Sequence, residues 1–149
     1  MSFKENVYRQ CAAIIQTKIS LLQKQLHDLT DSAGNETKRT AGDKHETALA
    51  MLQIEQENNS RQLQDALQQK AMLEKIDPTL QTEQAVRGSI ITTNKGIFFL
   101  SLGLGKITID EKTVIALSPD APLGKLLLMK KAGDAFQFNN TSYEILLVE

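Results

Sequence analysis

The chain has 149 residues, 41% of them hydrophobic, with 17 Lys and Arg balanced against 18 Asp and Glu. That length allows one or two small domains, and the balanced charge excludes the basic surface that direct duplex binding needs. One cysteine, Cys11, excludes an internal disulfide, offers no zinc cluster and points to a reducing compartment.

The N-terminal stretch MSFKENVYRQC is charged and lacks an apolar core, so no signal peptide is expected there. No apolar run approaches the roughly 18 residues of a membrane span, and a cytoplasmic protein without a membrane role is expected. The first helix is read from Tyr8, Ala12, Ile15, Ile19, Leu22, Leu26 and Leu29, whose spacing alternates four and three. That is an a/d seam of period 3.5, with Val7, Cys11, Ile14 and Leu21 on its flank. Thr30 to Asn35 is read as the helix end. A second helix is expected from about Asp43 to Ile76. Leu49, Leu52, Leu63, Ala66 and Leu73 fit the same repeat, with Gln56, Asn59 and Lys70 in register. Two helices joined by a short polar turn fold back antiparallel. Residue 4 should then lie near residue 74, with the turn at about residue 39. This hairpin uses the whole first-helix seam, so a monomer is expected.

All three prolines, six of the eight glycines and four of the five phenylalanines lie in residues 78–149. The change falls at Ile76-Asp77-Pro78, which predicts a helical domain over 1–77 and a second domain over 78–149. The second domain reads as strands: Ser89 to Thr93, Ile97 to Leu102, Lys106 to Ile109, Thr113 to Leu117, Phe136 to Phe138 and Tyr143 to Val148. Turns are read at Asn94-Lys95-Gly96, Asp110-Glu111-Lys112 and Asn139-Asn140. Pro122 to Leu128 fits a short helix with proline at its first position. The fold class is therefore α+β: a helical hairpin, then a small antiparallel β domain with one short helix.

The candidate chemistry sits at Asp43-Lys44-His45-Glu46. Two carboxylates one helical turn apart can share a divalent cation, but Mg²⁺ would need further ligands from a partner. The same spacing also makes a capping box, in which both acids serve only the helix start. His45 is read as a solvated turn residue. Gly103-Leu104-Gly105-Lys106 lacks the strand–helix setting of a phosphate loop and is read as a loop or bulge. Lys125, Lys130 and Lys131 form a modest basic patch, either a solvated face or a docking surface. No Ser/His/Asp or Cys/His set is available, so a self-contained hydrolase is not expected.

Two motifs resemble the bacterial Gre transcript-cleavage factors. Gly42-Asp43-Lys44-His45-Glu46, followed by Ala48, is similar to the family's tip pattern G-D-x-x-E-N-A. Ala121-Pro122-Leu123-Gly124-Lys125, continuing through Leu128, Lys130 and Lys131 to Gly133-Asp134, is similar to its C-terminal run (S/A)-P-x-(A/G)-x-x-L-x-x-K-x-x-G-D. After Glu46 this chain has Thr47-Ala48-Leu49-Ala50 where the family has Asn-Ala-Glu-Tyr. The resemblance implies an FKBP-like C-terminal domain that binds RNA polymerase at the rim of its secondary channel. Pro122, Gly124, Lys125, Lys130 and Lys131 are then the expected partner-binding residues. It implies a hairpin that threads the channel and stimulates cleavage of backtracked RNA, so nucleic acid is met only indirectly, at the RNA 3′ end. Asp43 and Glu46 become the catalytic residues. Asp43 is the leading ligand of a Mg²⁺ shared with the polymerase, and Glu46 a second ligand or a water-positioning base. The alternative is a channel binder of the same fold that regulates polymerase without stimulating cleavage. On either view the chain has no independent enzymatic activity, and no prolyl isomerase activity is expected.

Overall fold

The computed structural model describes residues 2–37 and 43–149, with the side chains of residues 36–37 and 43–45 outside the described part. Helix α1 spans Phe3–Thr37 and α2 spans Asp43–Glu74. The expected stop at Thr30 to Asn35 does not occur. A single glycine costs a helix only about 1 kcal/mol, and Ala33 is half-buried. Thr30 stays in the helix by donating its hydroxyl to the Leu26 carbonyl at 2.8 Å.

The two helices run antiparallel. The Asn59 side-chain amide donates to Gln25 Oε1 at 3.3 Å, and the Gln56 amide donates to Thr30 Oγ1 at 3.4 Å. A turn centred near residue 39 would instead set residue 25 against 53 and residue 30 against 48. The register is therefore offset from the expected one, and the expected turn near residue 39 lies outside the described residues, between the end of α1 at Thr37 and the start of α2 at Asp43.

The buried row also differs near the start of α1. Val7, Cys11, Ile15, Ile19 and Leu22 are buried, while Tyr8 and Ala12 are half-buried. A buried tyrosine needs a partner for its hydroxyl, whereas Val7 and Cys11 do not. Burial pushes the Cys11 thiol up to about 12, so it is an inert core group. On α2 the row continues through Ala66 and Leu73, and Ile76, just past the end of the helix, is buried too. Half-buried Gln69 stands near the seam where Lys70 was expected.

By contacts the chain forms two compact units: Met1–Ala13 with Met72–Glu149, and Ile14–Ala71. The first holds strands β1 (Ile90–Thr93), β2 (Gly96–Leu100), β3 (Gly105–Ile109), β4 (Lys112–Leu117), β5 (Ala135–Phe138) and β6 (Thr141–Val148), with helix α3 (Pro122–Leu127) between β4 and β5. The sheet order is β3-β4-β2-β1-β6-β5. Four pairings are antiparallel, as expected, and β2 with β4 is parallel. The β3–β4 hairpin returns β4 to the edge of β2, setting Phe98 beside Ile115 and Leu100 beside Leu117.

Turn chemistry fixes two of the hairpins. Asp110-Glu111 and Asn139-Asn140 all have positive φ, as a two-residue type I′ turn demands. Strand alternation then sorts the core. On one face Ile91, Phe98, Leu100, Leu117, Ile145 and Val148 cluster with Ala85 and with Leu127 of α3. Tyr143 stacks on Phe136 beside them, with ring centroids 5.1 Å apart. The alternate residues Ile90, Phe99, Val114 and Ala116 are buried as well. Each fully buried Val, Leu, Ile or Phe among them contributes about 1.5–3 kcal/mol.

The start of α1 is bonded to the rest of its unit. Lys4 is 4% exposed, and its ammonium donates to the carbonyls of Leu80 at 2.7 Å and Glu149 at 3.0 Å. Desolvation lowers its pKa, opposed by the charges of Glu149 and Asp77. Lys112 Nζ lies 5.2 Å from the centre of the Phe3 ring.

Candidate functional site

The connecting end of the hairpin carries the candidate acids. α2 begins at Asp43, so Asp43 and Glu46 lie in its first turn. Negative charge there is favoured by the helix dipole, by about 0.3–1 kcal/mol. Glu46 and Thr47 are exposed, while Ala48 and Leu49 are half-buried. The side chains of Asp43, Lys44 and His45 lie outside the described residues, so the geometry between the two carboxylates does too. Among the described residues no group of three or more His, Cys, Asp or Glu could hold a metal ion. His27, seven residues from Gly34, pairs with Asp31 at 3.3 Å across one exposed helical turn. An exposed pair of this kind contributes little.

The second candidate segment is α3 and the turn that follows. Pro122 opens the helix after an extended Ala121, where its missing N–H is no loss. Gly124 is buried against the Ser118 backbone, and a Cβ there would collide with the Ser118 carbonyl. The Leu128 N–H closes the helix by donating to the Gly124 carbonyl at 3.0 Å. Lys125 and Lys131 are exposed and Lys130 is half-buried.

Met129, between these lysines, carries a signal that sequence reasoning missed. It has a φ of 69° and is 56% exposed. A left-handed non-glycine residue costs about 1–2 kcal/mol and persists only where its surroundings hold it. Here its N–H donates to the Ala85 carbonyl at 2.7 Å, and the Ala85 N–H donates to the Lys130 carbonyl at 2.8 Å. The Gln84 side chain donates to the Met129 carbonyl at 3.0 Å. The Lys131 N–H donates to Asp134 Oδ2 at 2.8 Å, which fixes the turn before β5. The backbone of an exposed apolar residue is thus fixed between Lys125 and Lys130 in the chain. Nothing in local spacing announces a left-handed methionine. Gly105, at φ +78°, begins β3, and the Leu104 N–H donates to the Leu102 carbonyl, so Gly103 to Lys106 is a turn into a strand.

No helix among the described residues is long and apolar enough to cross a membrane. No protein-family model matches the chain, and no curated protein matches it. One solved structure, described as the structure of the transcription factor Gfh1, is similar over 92% of this chain and 92% of its own, at 10% identity and a TM-score of 0.37. A likeness at that level carries no argument about fold or function.

Proposed function

We propose that this chain is an RNA polymerase-binding transcription factor of the Gre type, acting through the connecting end of its hairpin. One observation supports this reading above the others. Asp43 opens a 32-residue helix, and Glu46, one turn on, is exposed. A helix of that length is about 48 Å long, enough to carry two acids deep into a narrow channel. The two motifs that resemble the family supply the rest: the acids at the tip, and the α3 segment as the docking face. On that segment Lys125, Lys130 and Lys131 flank an exposed Met129 in sequence, and methionine and basic side chains of this kind suit a partner surface.

Two carboxylates leave most of a Mg²⁺ octahedron unfilled, so Asp43 and Glu46 suit a site shared with the polymerase's own carboxylates. When bound, the shared ion would supply charge stabilisation for phosphodiester hydrolysis. Asp43 would hold it from this chain, and Glu46 would hold it or orient the attacking water. Thr47-Ala48-Leu49-Ala50, where the family has Asn-Ala-Glu-Tyr, favours a second reading in which the hairpin occupies the channel without stimulating cleavage.

The test uses backtracked elongation complexes with Mg²⁺, comparing wild type with an Asp43→Asn/Glu46→Gln variant. Faster 3′-end cleavage with wild type, lost in a variant that still binds, supports the cleavage reading. Binding without stimulation supports channel occupancy. No binding to polymerase sinks both.

A further inference from the structure

The hairpin seam changes character at one level. On the side of residues 15–22, Ile15, Ile19, Leu22 and Ala66 are at most 4% exposed. Next comes Gln25 with Asn59. Beyond them, on the side of Glu46, none of Leu26, Leu29, Ala33, Ala48, Leu49 or Leu52 is buried; all are half-exposed. Met51 and Ile54 are 58% and 57% exposed.

The layer itself is poorly satisfied. Asn59 is only 7% exposed, its amide makes one long bond to an exposed Gln25, and its Oδ1 is buried with no hydrogen-bond partner, as is Gln69 Oε1 on the other side of the layer. A buried acceptor left unpaired costs about 1–3 kcal/mol. Opening the layer lets water reach the Asn59 oxygen. Apolar burial decides which side opens at lower cost: it is denser toward Ile15, where Leu63 is half-buried but Ile15, Ile19, Leu22 and Ala66 are buried, and sparse toward Leu49. A groove lined by Gln25, Asp28, Glu55, Asn59 and Gln62 brings solvent alongside.

We propose that the Gln25–Asn59 layer divides the hairpin into two cooperative segments, and that the segment carrying Glu46 opens as a unit while the seam from Ile15 to Leu22 stays closed. The device gives the hairpin a firm shaft and an end that opens independently of it. It does not rest on the polymerase reading.

Hydrogen exchange on the full-length chain tests it, resolved by overlapping peptides. Amides of residues 27–35 and 48–57 are expected to share one opening rate, at least about 10-fold faster than those of 15–22 and 63–70. Gln25→Leu with Asn59→Leu is expected to slow exchange in 27–35 and 48–57 about 10-fold or more, leaving 15–22 unchanged. If the double variant self-associates, Asn59→Leu alone carries the same comparison. A smooth gradient of protection along the helices, with no step at Gln25–Asn59, overturns the proposal as simple end fraying. A step that both variants leave in place overturns it too.

Discussion

The sheet unit and the outer hairpin are built to different standards. In the sheet unit both faces are closed, a glycine is required at a backbone contact, and a lysine is buried on two carbonyls. In the hairpin beyond Gln25 and Asn59 no apolar side chain among the described residues is fully buried, and the polar layer is left half-bonded. Stability therefore concentrates away from the residues that carry candidate chemistry. Regions that must adapt to a partner come from the low-stability end of a structure, and here that end is set by a change in seam composition.

Several substitutions break or sharpen this contrast. Gly124→Ala should have the largest effect, because the methyl meets the Ser118 backbone and not a side chain that could move. A loss of about 3 kcal/mol or more is expected in urea unfolding. A paired test follows in the hairpin. Leu22→Ala, at a side chain 4% exposed, should cost about 2–4 kcal/mol, whereas Leu52→Ala should cost about 1. Equal costs would erase the distinction between the two halves of the seam. Lys4→Met should cost about 1–3 kcal/mol, since the Leu80 carbonyl loses its charged donor. The Glu149 carbonyl keeps the Ile90 N–H at 3.0 Å, which limits the damage.

The smallest effect is a titration. Desolvation raises the Tyr8 pKa above its ordinary 10.0, and the charges of Glu74 and Asp77 add to it. The folded state then holds the phenolic proton more tightly than the unfolded chain. Its contribution to stability is complete below pH 10 and is lost as pH rises through the folded-state value. In a Tyr143→Phe background the tyrosinate absorbance should rise with a midpoint above 10.0, and Glu74→Gln should bring that midpoint down.

Much of the architecture was legible in the residues, for physical reasons. Asn139-Asn140 announces a tight turn because asparagine is among the few residues that accept positive φ, and alternating apolar runs flank both it and the polar Asp110-Glu111 pair. Pro122 marked the start of α3 because its ring suits a first helical position. Long-range effects were not legible. The choice of Val7 and Cys11 over Tyr8 and Ala12 depends on what the helix faces, and both rows fit an amphipathic pattern. The parallel pairing of β2 with β4 depends on where the β3–β4 hairpin lands. The burial of Lys4 depends on two carbonyls that only the fold brings to it. α1 passes through Gly34 because a helix with neighbours tolerates one weak residue. Of the candidate site, the acids were visible only as a spacing shared with helix caps, and the resemblance supplied their meaning. Met129 was invisible, since its left-handed backbone is imposed by Ala85 and Gln84 from 44 and 45 positions away.

The bond from Lys4 to Glu149 joins positions 145 apart in sequence, and Ile90 exchanges both backbone hydrogen bonds with the same Glu149. Contacts of such high order form late, because the long loop between them must be closed before they return any energy. During vectorial synthesis the helices can pair as soon as they emerge. The sheet cannot close, nor can the root of α1 be fastened, until β6 has been made. The nascent chain therefore passes through a stage in which its hairpin exists but is not yet anchored, with Phe99, Val114 and Ala116 awaiting cover. That interval is when this protein is most exposed to misassociation.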